Sequence, residues 1–378
     1  MPDILIAADS IRSPEMRHEV PVPVPDPFTY FEHDGKPYVL VSSFEVPRIQ
    51  ERAPEIELLV PEQFGLDELL EQGYKEWRLS CEIAARACKE VGLAEAAVPP
   101  TFPSVLLDHL RANGIALTVD EELFTRRRRV KTPAELDGIR RAQRACERAM
   151  DAARDLMRRA ERGNGSLVLD GEPLTCERIR AAVEDVFTAS NVVADESIVS
   201  HGPQTAIGHE MGHGAIEPGE PIVLDLFPRD RETGCYADMT RTFVVGDPPD
   251  ELREYHRLVK DALDRSTADV KAGANGRKIF ERVCELFQEH GYKTQLSKNP
   301  GEVLADGFFH SLGHGVGLEV HEQPGLGRSG VDLVAGDVIT LEPGLYRRGF
   351  GGLRLEDLVL VTDDGPEVLT DYPYDLAP

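Results

Sequence analysis

Apolar residues recur at helical spacing through the middle of the chain and then give way to short runs of strand character. From Thr132 the order Thr-Pro-Ala-Glu135 sets a capping threonine, a proline at the first helical position and a glutamate three residues on, which together predict a helix start. Leu136, Ile139, Ala142, Ala145, Met150, Ala153 and Met157 then repeat on one face, extending that helix to about Gly163. Further helices are predicted over 175–189, 250–271 and 276–290, the last closed by Gly291. Ile222-Val-Leu-Asp-Leu226 reads as a strand, followed by a hairpin returning through Asp238 to Val245. From 305 onward strands alternate with glycine-rich turns, with an Asp-Gly pair at 364–365. The expected picture is a central sheet with helices on one face.

Before that first long helix the pattern differs. Pro37-Tyr-Val-Leu-Val-Ser42, Glu55-Ile-Glu-Leu-Leu-Val60 and Gly114-Ile-Ala-Leu-Thr-Val119 read as strands, and the stretches near 82–91 and 103–113 as helices. That alternation predicts a smaller α/β domain over 1–130, followed by a larger domain over 131–378. The fold class expected overall is α/β, of the α+β kind. Arg126 to Arg129 mark the boundary, and in an acidic chain such a basic run reads as a solvated linker. Cys81 and Cys88, seven apart, belong on one buried helical face.

Charge narrows the partners. A net charge of −25 over 378 residues repels nucleic acid and anionic lipid, so neither is expected as a partner. The six cysteines lack any CxxC pairing, so neither a zinc knuckle nor a disulfide framework is expected. The start MPDILIAADS is too short and acidic for a signal peptide, and no run of about 18 apolar residues exists to span a membrane. A cytoplasmic location is the expectation.

Chemistry concentrates after residue 200. Asp225 ends an apolar run, Asp238 lies in Tyr236-Ala-Asp-Met-Thr-Arg-Thr242, and His314 lies in His310-Ser-Leu-Gly-His-Gly-Val-Gly317. Glu342 follows in Ile339-Thr-Leu-Glu-Pro-Gly344, and Glu356 in Leu353-Arg-Leu-Glu356. Any one of these has an ordinary structural explanation: a turn cap, a loop histidine, a local ion pair. Together, four carboxylates and one neutral imidazole form a donor set suited to hard divalent ions, and their four negative charges match two such ions. Two of the carboxylates would have to bridge, and a bridging hydroxide would become available near neutral pH. Gly315 and Gly317 would let the backbone pass close to the ions.

These blocks resemble the metal-binding blocks of the pita-bread metallopeptidases, the family of prolidases, aminopeptidase P and methionine aminopeptidases. The resemblance covers residues 131–378 and implies a C-terminal pita-bread domain, with a creatinase-like domain over 1–130 as in the proline-directed members. It implies one ion on Asp225, Asp238 and Glu356 and a second on Asp238, His314, Glu342 and Glu356, with Asp238 and Glu356 bridging. Manganese or cobalt comes ahead of zinc or iron. Glu342 would act as general base, His209 would contact the scissile nitrogen, and His321 would stabilise the tetrahedral intermediate. Arg354 would steady the last carboxylate block. His201 and His213 stand close enough to His209 in sequence to be alternatives, and His310 reads as a structural residue of its turn.

The implied activity is hydrolysis of the bond between an N-terminal residue and proline, as a dipeptidase or an aminopeptidase, by a homodimer acting on peptides. Methionine aminopeptidase-like or ectoine-type hydrolysis, or a non-catalytic binding role, are the alternatives. The chain departs from the family pattern in three places. Leu226-Phe-Pro228 replaces the usual glycine after Asp225, and two extra residues before Asp238 are expected to lengthen a hairpin tip without changing register. His213 adds an imidazole near His209. All three bear on substrate choice rather than on the reaction.

Overall fold

The computed structural model describes residues 2–163 and 165–378. The chain divides into two compact units, Met1–Arg128 and Arg129–Pro378.

In the first unit, strands β1 (Ile4–Ala8), β2 (Phe28–His33), β3 (Lys36–Leu40), β4 (Glu57–Leu59), β5 (Glu95–Val98) and β6 (Ala116–Val119) form one sheet of order β4-β3-β2-β1-β5-β6. The interleaved helices are α1 (Pro14–Glu19), α2 (Val46–Arg52), α3 (Leu66–Glu71), α4 (Glu76–Val91), α5 (Ser104–Ala112) and α6 (Glu121–Arg129). Side chains alternate across the pleat, so Leu5 joins the core under α4 and α5, whereas Ile4 and Ile6 join the core with α1, α2 and α6. Cys81 and Cys88 both lie in the core on α4, and burial pushes the Cys88 thiol up to about 12. The arginine run is not a solvated linker. It is the last turn of α6, where Arg127 meets Glu19 at 2.6 Å and Glu32 at 2.9 Å, and Arg128 meets Glu15 at 3.1 Å. Acidic partners shield Arg127 and Arg128 from solvent, whereas Arg126, paired with Glu122 on the same helix, stays exposed.

In the second unit α7 (Pro133–Arg159) begins as its sequence requires. Thr132 Oγ1 accepts from the Glu135 amide at 3.2 Å and Glu135 Oε2 accepts from the Thr132 amide at 2.8 Å. A small sheet of β7 (Glu161–Arg162), β8 (Leu167–Leu169) and β9 (Glu172–Pro173) leads to α8 (Cys176–Ala189). Then come β10 (Val192–Val193), β11 (Ile198–His201), β12 (Ile222–Leu226), β13 (Arg229–Asp230) and β14 (Met239–Phe243). Helices α9 (Asp250–Ala268) and α10 (Gly276–Glu289) precede β15 (Gly313–Gly315), β16 (Glu322–Leu326), β17 (Val338–Leu341), β18 (Gly344–Arg347), β19 (Gly351–Arg354), β20 (Asp357–Val361) and β21 (Pro366–Val368). The main sheets run β11-β12-β14 and β16-β15-β17-β20-β21, with β18-β19 as a separate ribbon.

Two expectations are corrected here. Val338, Leu358 and Leu360 join the core built on α7 and α8, while Ile339, Leu341, Val359 and Val361 join the core built on α9 and α10. Helices therefore cover both faces of β17 and β20, not one. The unbroken apolar runs in these strands are the signature of burial on both sides. The second concerns the segment between β12 and β14, which is no simple hairpin tip. Its β13 pairs with β10, and Asp230 accepts from the Thr233 amide and hydroxyl at 2.8 Å each and pairs with Arg141 of α7 at 2.8 Å.

That loop explains a glycine inside α7. A Cβ on Gly138 would sit 1.9 Å from Thr233 Oγ1. Alanine, normally better than glycine in a helix by ~1 kcal/mol, should here destabilise by about 1–3 kcal/mol as the loop is forced away. Chemical denaturation of Gly138→Ala checks this, and a stabilised variant would contradict the close approach.

Candidate metal centre

Strand register assembles the site. Asp225 on β12 lies opposite Thr240 on β14, and partners in an antiparallel pair share a face. Asp238, two residues before Thr240, therefore faces the same way. On the other side Leu341 lies opposite Asp357 in the β17–β20 pair, and Gly344 lies opposite Arg354 in the β18–β19 pair. The two ladders continue one register, so Glu342 and Glu356 stand across from each other in the gap between them. His314 sits at the centre of β15, where Cβ atoms on Gly313 and Gly315 would lie 2.0 Å from Thr340 O and 2.3 Å from Gln323 O. These glycines let β15 press against its neighbours. Gly317 abuts the Lys131–Glu322 ion pair instead.

The side chains converge on one cavity of about 660 Å³. Asp225, Asp238, His314, Glu342 and Glu356 all line it, as do His209, His321 and Arg354. Donor atoms of Asp238, His314 and Glu356 lie within 4.8 Å of one another. His314 Nε2 is 3.8 Å from Asp238 Oδ2 and 3.6 Å from Glu342 Oε1, while its Nδ1 meets the Gly315 carbonyl at 3.1 Å. A proton held at Nδ1 by that carbonyl leaves the Nε2 lone pair facing the carboxylates. Asp238 Oδ1 is buried with no hydrogen-bond partner.

Electrostatics follow from this crowding. Burial, then repulsion from Glu356 and Asp225, raises the Asp238 carboxyl well above its ordinary range. Glu356 is raised likewise by burial and by Glu342, and burial carries Glu342 to about 7 against the opposing pull of Arg354. Burial lowers His314 and His310 to about 3 each, so both imidazoles are neutral. Arg354 is the single guanidinium among the described lining residues. Its Nη2 meets Asp225 Oδ2 at 2.5 Å and its Nε donates to Thr240 Oγ1 at 3.1 Å, and Thr240 donates to Glu356 Oε2 at 2.6 Å. The arginine thus reaches the Glu356 block through Thr240 while touching Asp225 directly.

The histidines sort themselves by position. His209 lines the cavity from a loop at φ 62°. His201 lies away from it, with Nδ1 2.8 Å from Glu220, and His213 is largely exposed. His310, read from sequence as a turn residue, is instead a wall of the cavity. Its Nε2 meets the Tyr346 hydroxyl at 2.9 Å and its Nδ1 stands 3.8 Å from Glu342. Tyr346 and Thr240 escaped the sequence reading. Parity was the available signal, since Tyr346 stands four residues after Glu342 and Thr240 two after Asp238, both on the site face of their strands.

With this geometry in hand, comparison with known proteins is specific. The profile of Metallopeptidase family M24 matches residues 137–363. The Xaa-Pro dipeptidase of Pyrococcus furiosus is 32% identical over 245 residues, which are 64% of this chain and 63% of that protein. The uncharacterized peptidase YqhT of Bacillus subtilis is 35% identical over 204 residues, 52% of this chain and 54% of that protein. The chain thus spans less than two thirds of the length of the curated relatives it matches. Among solved structures, the Xaa-Pro dipeptidase from Bacillus anthracis superposes with a TM-score of 0.78 at 23% identity, covering 100% of this chain and 94% of that one. The prolidase from Pyrococcus furiosus gives 0.74 at 22%, covering 99% and 97%. At these identities the superpositions speak for the fold, which is the mixed α/β pita-bread arrangement of those structures.

Proposed function

The chain belongs to Metallopeptidase family M24, and from that premise we propose that it is a two-metal exopeptidase cleaving between an N-terminal residue and proline. One observation carries the reading: four carboxylates and a neutral histidine converge at a single cavity whose wall also holds His209 and His321. The residues fit divalent cations on the protein's own terms. A buried, unpartnered Asp238 oxygen and three mutually repelling carboxyls beside one arginine are unfavourable until cations arrive. Asp225, Asp238, His314, Glu342 and Glu356 would hold two such ions, with Asp238 and Glu356 shared. The mixed oxygen and imidazole set supports manganese or cobalt ahead of zinc or iron.

Bound ions would supply Lewis acidity to the scissile carbonyl and acidify the attacking water. Glu342, beside that water, would accept its proton on a carboxylate oxygen. His209, on its exposed loop, would hand a proton to the leaving proline nitrogen, which has no N–H of its own in the peptide. His321, whose ring centroid lies 4.2 Å from that of His314, would donate to the developing oxyanion. Arg354 would orient Asp225 and, through Thr240, Glu356.

Protein loaded with Mn²⁺ or Co²⁺ is expected to hydrolyse Xaa-Pro or Xaa-Pro-Yaa peptides faster than Met-Yaa peptides, and EDTA is expected to abolish the activity. Negligible metal uptake with no turnover of any of the three classes would sink the enzyme reading. Preference for Met-Yaa would move the chain to the methionine-directed branch. The described helices include none long and apolar enough to cross a membrane. Six free, buried thiols support a cytoplasmic location. A homodimer rests on the resemblance alone, and sedimentation analysis decides it.

A further inference from the structure

The departure after Asp225, Leu226-Phe-Pro228 in place of the usual glycine, brings an aromatic residue to the wall of the cavity. Ile198 on β11 lies opposite Asp225 on β12. Glu196 stands two residues before Ile198 and Phe227 two after Asp225, just beyond the ends of the two strands and before the β10–β13 pair, whose register is offset by one. Glu196, Ile198 and Phe227 all line the cavity. Ile198 is buried, Phe227 is half-buried and Glu196 is exposed, so the three grade from floor to mouth. Glu196 makes no hydrogen bond or ion pair among the described residues. Arg180 ties down the backbone beside it, its Nε donating to Ser197 O at 3.0 Å. The carboxylate is therefore set at the cavity mouth on an anchored backbone with its charge uncommitted.

We propose that Glu196 and Phe227 form a subsite for a basic side chain on the N-terminal residue of the substrate, lysine or arginine. This rests on the peptidase reading above. A long basic side chain has an apolar stem and a charged tip, which matches an aromatic face followed by a free carboxylate. Neutral substrates would gain only the apolar part, and an acidic side chain would meet repulsion. The net charge of −25 favours the approach of cationic peptides in the same sense.

The test compares kcat/KM for Lys-Pro, Leu-Pro and Glu-Pro with Mn²⁺-loaded wild type, Glu196→Gln and Glu196→Lys, alongside thermal melts to verify folding. Wild type should prefer Lys-Pro over Glu-Pro by on the order of tenfold, as partly exposed charge pairs allow. The ratio should fall towards unity in Glu196→Gln, invert in Glu196→Lys, and shrink with added salt. A wild-type ratio near one would overturn the subsite. So would an equal loss on all three peptides in Glu196→Gln, which would assign the carboxylate to the α-amino group common to them. Turnover of Leu-Pro with no charge preference leaves the peptidase reading standing and removes only the subsite. No turnover of any peptide removes both.

Discussion

Asp238→Asn is expected to abolish metal-dependent peptide hydrolysis while raising the melting temperature of the metal-free protein. The two effects share one cause. Asp238 is buried, one of its oxygens has no partner, and Glu356, Asp225 and Glu342 all repel its charge. Without cations that carboxylate opposes folding, and an isosteric neutral amide relieves the repulsion without opening a cavity. The gain should be about 1–3 kcal/mol, or a few degrees in Tm for a domain of this size. With cations the balance reverses, because a shared ligand has been lost. The cost should exceed the ~10–100-fold loss that follows removal of an outer partner of a metal ligand. Elemental analysis after gel filtration should find neither ion retained, and Mn²⁺ should no longer raise Tm. One ion held with near-normal affinity would refute the bridging role. A lower melting point for the metal-free variant would refute the electrostatic account.

Much of this site was legible in the chain because each carboxylate sits inside or directly beside a run of strand character. Asp225 closes an apolar pentapeptide, and the spacing between Glu342 and Glu356 suits a ribbon. Partners across strands are a different matter. Parity with a neighbouring carboxylate points to Thr240 and Tyr346 but does not say what they meet, which follows only once Asp225 is known to lie opposite Thr240 and Ile198, and Gly344 opposite Arg354. Nothing local announces those pairings, and a one-residue slip would turn each side chain to the other face. The arginine run failed for a related reason. A basic tetrapeptide reads as solvated until its partners are known, and Glu15, Glu19 and Glu32 lie about a hundred residues upstream. The covering of β17 and β20 on both faces was readable, since their apolar positions do not alternate. The expectation of one-sided helices passed over that signal.

The same crowding predicts how stability responds to pH and metal. Burial holds Glu342 at about 7 in the folded chain against an ordinary 4.5, so the folded state retains a proton there that the unfolded state releases. Stability contributed by this group is present below about pH 4.5 and is lost as pH rises towards 7, by roughly 3 kcal/mol in total. Asp238 and Glu356, raised in the same direction, add to the loss. His310 and His314 act at the other end. Their folded values of about 3 lie below the ordinary 6.5, so they destabilise the fold as pH falls through 6.5 towards 3. Metal-free protein should therefore melt at a lower temperature at pH 7.5 than at pH 5.5, where protonation of Asp238, Glu342 and Glu356 outweighs the cost of keeping the two histidines neutral. Saturating Mn²⁺ should reverse the order, since the ions bind the ionised carboxylates of the native state and displace their protons. Melts of EDTA-treated and Mn²⁺-saturated protein at the two pH values read both signs directly, and calorimetric titration in buffers of different ionisation enthalpy should register the released protons. A metal-free protein that is more stable at pH 7.5 would mean that Asp238, Glu342 and Glu356 are not crowded as described. Absence of proton release on Mn²⁺ binding would place the ions elsewhere on the molecule.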